Sequence, residues 1–112
     1  MNTEENNNIV EEKDEDDKLV FDLSKEYKFD GKTYKKVDLH GLENLTADDM
    51  IKVNRRLSRK GNTDFLQEVT LEYACVLAEF CSELPESFYR GLAPKDAMRL
   101  KNRITGFLYG SE

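Results

Sequence analysis

One histidine, two cysteines and twenty-three carboxylates are the residues of this 112-residue chain with the greatest scope for chemistry. His40 stands in Asp38-Leu-His-Gly41, with no second His, no adjacent Cys and no Glu spaced to share a metal. Zinc sites draw three or four N, S or O ligands from the protein at characteristic spacings. As a general base His40 would need an orienting acid, and Asp38 is the nearby one; the plainer role is a surface or capping residue of a loop. Cys75 and Cys81 lie six positions apart, about 240° around a helix. They neither bridge nor ligate one ion, and they read as small buried apolar residues of a reducing compartment. No glycine-rich loop offers a phosphate cradle, since Asp30-Gly31-Lys32 is explained by a turn. No pair of acids stands apart from the solvated faces as an acid/base dyad. These residue types point away from catalysis, so the expectation is a non-enzyme with no catalytic, metal-binding or cofactor-binding residue.

The elements that would position any site begin after an acidic segment. Residues 1–18 hold eight acids against Lys13 and Lys18, a charge of -6 that equals the whole net charge. The other 94 residues carry 15 acids and 15 bases, so a pI near 4.9 describes the segment and not the rest. Its large apolar residues are Ile9, Val10 and Met1, too few to offset roughly 1–2 kcal/mol of backbone entropy per residue. It is expected to be a disordered acidic tail, with residues 19–112 as one domain. Eleven aromatic residues and 38% hydrophobic content supply a small core there. The longest stretch without a charge, Ile104 to Ser111, is eight residues, against roughly 20 for a membrane span. The opening residues lack the basic and apolar runs of a signal or transit peptide, so a cytoplasmic location is expected.

Leu19, Phe21, Leu23, Tyr27 and Phe29 fall on every second position apart from Lys25, the period of a strand. Asp30-Gly31 follows, suited to the positive φ angles of a type I′ hairpin turn. A two-residue loop sets Phe29 opposite Lys32 and Tyr27 opposite Tyr34. The apolar phase then slips, because Val37 and Leu39 are odd while Tyr34 is even; a bulge near Lys35-Lys36 or a twist out of the sheet must absorb it.

Helices come next. Thr46-Ala-Asp-Asp49 has the form of a capped helix start, with Asp at the capping-box position, and Gly61-Asn62 the form of a stop. Asp64 to Leu84 places Leu66, Val69, Tyr73, Val76, Leu77, Phe80, Cys81 and Leu84 on one face, which predicts a single long central helix ended by Pro85. Glu86 to Leu92 predicts one short turn, and Ala93-Pro94 opens a final helix with Ala97, Leu100, Ile104, Phe107 and Leu108 on one side. The class is therefore α+β: an N-terminal β-hairpin followed by three to four helices.

Two surfaces have a functional reading beside a structural one. Lys52, Arg55, Arg56, Arg59 and Lys60 form a basic helix face. It meets either phosphates, as in a small nucleic-acid-binding regulator, or the acidic side of the central helix in the same or a neighbouring subunit; domain neutrality favours the second. Phe88, Tyr89, Phe107 and Tyr109 are either core aromatics or part of a patch that receives a partner helix or pairs two subunits.

The order of elements resembles the tail assembly chaperones of long-tailed bacteriophages. The likeness is carried by Phe21-Asp-Leu-Ser-Lys25 leading through Phe29-Asp-Gly-Lys-Thr-Tyr34 to Val37-Asp-Leu39, by Leu84-Pro85 with Phe88 and Leu92, and by Pro94-Lys-Asp96 with Leu100, Ile104 and Gly106-Phe-Leu108. These stretches cover roughly residues 19 to 109. The resemblance implies a non-enzymatic protein of the bacterial host cytoplasm that binds the tape-measure protein, helps recruit the major tail protein and is absent from the mature virion; a structural tail component is the neighbouring alternative. It implies no cofactor, no membrane and self-association. On this reading the partner groove comprises Phe88, Tyr89, Leu92, Leu100, Ile104, Phe107 and Leu108, with Lys52, Arg55, Arg56 and Arg59 as electrostatic contacts.

Overall fold

The turn at Asp30-Gly31 organises the first part of the fold. Asp30 has φ 52° and Gly31 φ 80°, the positive pair a type I′ turn demands. It joins β1 (Val20–Phe29) to β2 (Lys32–Asp38) in an antiparallel hairpin with Tyr27 opposite Tyr34 and Phe29 opposite Lys32, as the sequence predicts. The computed structural model describes residues 18–61 and 67–110. The acidic segment expected to be disordered lies, but for Lys18, outside the described residues.

The phase slip is absorbed on the first strand. Asp22 pairs with Lys36 and Tyr27 with Tyr34, so Leu23 to Glu26 stand across from Lys35 alone. The extra residues follow Leu23, whose side chain is buried, and include Ser24, which is pinned to a distant helix. At the other end of the hairpin the Leu39 amide donates to the Leu19 carbonyl at 2.6 Å, and a 3-10 turn, His40–Asn44, leads out.

Helix α1 (Ala47–Arg59) starts in the predicted capping box. The Asp49 amide donates to the Thr46 hydroxyl at 3.4 Å, and the Thr46 amide donates to the Asp49 carboxylate at 2.9 Å. Val53 and Leu57 are its fully buried residues, and Gly61, at φ 91°, lies just past its end; Asn62 is outside the described residues.

The single helix expected from Asp64 to Leu84 is shorter and interrupted. A 3-10 turn (Gln67–Val69) precedes α2 (Leu71–Phe80); Asp64, Phe65 and Leu66 lie outside the described residues. Thr70 restarts the helix by accepting from the Tyr73 amide at 3.1 Å. At the far end the Ser82 hydroxyl donates to the Ala78 carbonyl at 2.8 Å and accepts from the Leu84 amide at 3.2 Å. The chain is thereby turned before Pro85 is reached. Tyr73 through Ala78 are six consecutive buried residues, so the middle of α2 is enclosed, with α1, α3 (Glu86–Arg90) and α4 (Pro94–Tyr109) packed against it.

The hairpin and four helices make an α+β fold around one apolar cluster that joins both layers. Among the described residues no helix is long and apolar enough to cross a membrane.

Candidate partner-binding site

The sequence-predicted partner residues divide by burial. Phe88, Leu100 and Ile104 are wholly buried, Tyr89 and Leu92 nearly so. Phe88 is the hub of an aromatic cluster: the rings of Tyr27, Phe29, Tyr34 and Tyr89 lie 4.8 to 5.2 Å from it, centroid to centroid. The Tyr27 hydroxyl also donates to the Phe88 carbonyl at 2.8 Å. The hairpin's aromatics thus cap Phe88, a helix residue some sixty positions on, where strand periodicity alone could only pair them with each other. These five residues support the fold in this conformation and line no open groove as a set. Leu108 is half-buried, and Phe107, 40% exposed, is the accessible member.

Phe107 sits on a groove of about 470 Å³ that sequence reading did not assemble. Its walls are Lys18 and Leu19 at the start of the hairpin, His40 and Glu43 of the 3-10 turn, and Asn102, Arg103, Gly106 and Phe107 of α4. A Cβ on Gly106 would meet no atom within 4 Å, so there is open space beside the helix at this position. An isolated Gly in a helical pattern costs about 1 kcal/mol against Ala, and that was the signal in the sequence. Arg103 secures the wall: its guanidinium donates to the Lys18 carbonyl at 2.8 Å and lies 5.4 Å from the Phe21 ring centroid.

The basic face of α1 divides between its own chain and solvent. Arg56 donates to Glu79 at 3.0 Å and to Glu86 at 2.9 Å; Lys60 reaches Glu86 at 3.0 Å, and so does Arg90. The hydrogen bond from Arg56 holds the Glu79 carboxyl below its usual range. Burial would raise Glu86, but Lys60, Arg90 and Arg56 outweigh it and lower it as well. Lys52 pairs with Asp48 one turn away, whereas Arg55 and Arg59 are exposed.

Of the residues suited to chemistry, His40 is brought against an acid. The Asp38 carboxylate lies 2.8 Å from His40 Nδ1 and accepts from the His40 amide at 2.9 Å. This ties the ring into the loop. Gly41 beside it is in close contact with α2: a Cβ there would stand 1.8 Å from the Cys81 carbonyl oxygen. Burial pushes both the Cys75 and Cys81 thiols up to about 11, so neither is a thiolate at neutral pH. Among the described residues no group of three His, Cys, Asp or Glu could hold a metal ion.

A protein-family model described as phage tail assembly chaperone proteins, E, or 41 or 14, matches residues 20–109. The chain belongs to this family of phage tail assembly chaperones. The match runs from the first residue of β1 to the last of α4, so it covers the hairpin, the aromatic cluster and the groove's walls other than Lys18 and Leu19. No curated protein and no solved structure matches the chain. Membership of this family implies interaction with other phage tail proteins.

Proposed function

We propose that this chaperone covers apolar stripes of the long, largely helical tape-measure protein and helps recruit tail-tube subunits, the major tail protein among them. It does so in the cytoplasm of the bacterial host and leaves before the virion is complete. The observation that carries the reading is Phe107, a large apolar ring left 40% exposed on a groove that Gly106 also lines. Burying such a ring against an apolar residue of a partner is favourable, and a groove beside a helix accepts one or two anchors of an amphipathic helix. Self-association would repeat the surface along one tape-measure chain and raise avidity. Family membership supports a tail-protein partner, and the engagement of Arg56 and Lys60 by Glu79 and Glu86 favours a protein over a nucleic acid.

Co-expression with the tape-measure protein tests this. The expected outcome is a soluble, nuclease-insensitive complex that is lost with Phe107→Asp while that variant keeps its native circular dichroism. A tape-measure protein that stays insoluble with the wild-type chaperone, or that is held equally well by Phe107→Asp, overturns the reading.

A further inference from the structure

The groove has a cationic side on which three of the four basic residues make no ion pair among the described residues. Lys18 and Arg103 line it, and Arg103 also lines, with Lys36 and Arg99, an adjoining hollow of about 210 Å³ over Val20 and Phe21. The acids facing this strip are Glu43 in the groove and Asp22 in the hollow. Arg99 lies 3.8 Å from Asp96, but among the described residues no carboxylate pairs with Arg103, Lys36 or Lys18. Arg103 is instead held in place by backbone carbonyls and the Phe21 ring, which fixes a guanidinium with donors to spare at the groove's edge.

The chain enters the described fold at Lys18, on that same edge. The seventeen residues before it carry eight acids and one base, whereas residues 18–112 hold sixteen bases and fifteen acids. Six of the eight acids, Glu11, Glu12, Asp14, Glu15, Asp16 and Asp17, fall within seven residues of Lys18. Ile9-Val10 lies just beyond them. A seven-residue span reaches at most about 24 Å, enough to return Ile9-Val10 to Leu19 and Phe107 with the acids along the rim. The covalent link also supplies an effective concentration of order mM.

We propose that residues 1–17 are an intramolecular ligand of this groove, with their acids on the Lys18, Arg103, Arg99 and Lys36 strip and Ile9-Val10 against Leu19 and Phe107. Resting on the reading of this groove as the partner site, the segment and a partner helix compete for it.

Backbone amide NMR of the full ¹⁵N-labelled chain tests the docking. At about 20 mM salt the heteronuclear NOE of residues 9–17 should be that of ordered backbone, and it should fall to coil values at about 0.5 M salt, where screening is within a few ångströms. Gly106→Trp, which fills the groove, should give coil values at either salt with the amides of 20–109 still dispersed. Neutralising the six acids to Gln or Asn should shift the Leu19, Gly106 and Phe107 amides. Coil values for wild type at low salt, or no response to either variant, overturns the proposal. A second measurement separates it from the function: the neutralised chain should bind a tape-measure helical fragment about fivefold more tightly. Docking without that gain overturns the competition and places the partner elsewhere, while leaving the segment as the groove's ligand.

Discussion

The carboxylate of Asp96, in the first turn of α4, accepts hydrogen bonds from the Ser24 amide at 2.9 and 3.1 Å and from the Ser24 hydroxyl at 3.0 Å, across 72 residues of sequence. Ser24 lies in the irregular stretch of β1, and Asp96 is almost wholly buried. The irregularity is therefore held by a helix at its positive end, which also favours the carboxylate. Asp96→Ala leaves the Ser24 amide without its acceptor and should cost about 2–3 kcal/mol. Urea unfolding checks the size, and a midpoint within error of wild type would show that the clamp adds nothing.

Arg56 stands between Glu79 and Glu86, and both carboxyls have folded pKa values below the ordinary carboxylate value. A depressed folded pKa contributes stability that is complete above the unfolded value of about 4.3 and is lost as pH falls through the folded values. The urea midpoint should therefore hold from pH 7 to about pH 5 and decline below pH 4.3. Arg56→Met should cost about 2 kcal/mol at pH 7, discounted for partial exposure, and should flatten that decline. An unchanged acid limb would assign the pH dependence to other carboxyls.

Gly41 and Gly106 should respond in opposite directions to the same substitution. A Cβ at Gly41 collides with the Cys81 carbonyl, whereas one at Gly106 meets open space in a helix. Gly41→Ala should destabilise by about 2–3 kcal/mol through overpacking, and Gly106→Ala should stabilise by roughly 0.5–1 kcal/mol through helix propensity. Thermal unfolding of the two variants reads both signs; a stabilising Gly41→Ala would mean the loop moves freely away from α2.

Phe88 and Phe107 should separate stability from binding. Phe88→Ala removes the hub of the aromatic cluster and should cost about 3–5 kcal/mol, while Phe107→Ala should cost under about 1 kcal/mol and still weaken capture of the tape-measure protein. If Phe107→Ala unfolds the protein, the ring belongs to the core and the groove reading falls.

Local signals were legible wherever the deciding contacts are near in sequence. Asp30-Gly31 places the turn because only two residues need positive φ. Thr46 and Asp49 place the start of α1 because both halves of the capping box lie within four residues. The long helix over 64–84 was overextended because Thr70 and Ser82 break it through hydrogen bonds that a hydrophobic period cannot register. The likeness to tail assembly chaperones was readable from the order of elements, and the match over residues 20–109 agrees with it.

The site was less legible than the fold. Apolar periodicity marks Phe88, Tyr89, Leu92, Leu100, Ile104, Phe107 and Leu108 as facing something, but it does not distinguish a partner from the protein's own hairpin. By itself the sequence determined the hairpin turn and the pairing beside it, the capped start of α1, the α+β class and the concentration of negative charge before Lys18, all set by neighbours a few residues apart. Only the tertiary structure decided that Phe88 is core, that Ser24 answers to Asp96, that Arg56 faces Glu79 and Glu86, and that Phe107 opens on Leu19 and His40. Those outcomes depend on which surfaces meet when strands and helices pack, and that is a competition among contacts spread over the whole chain.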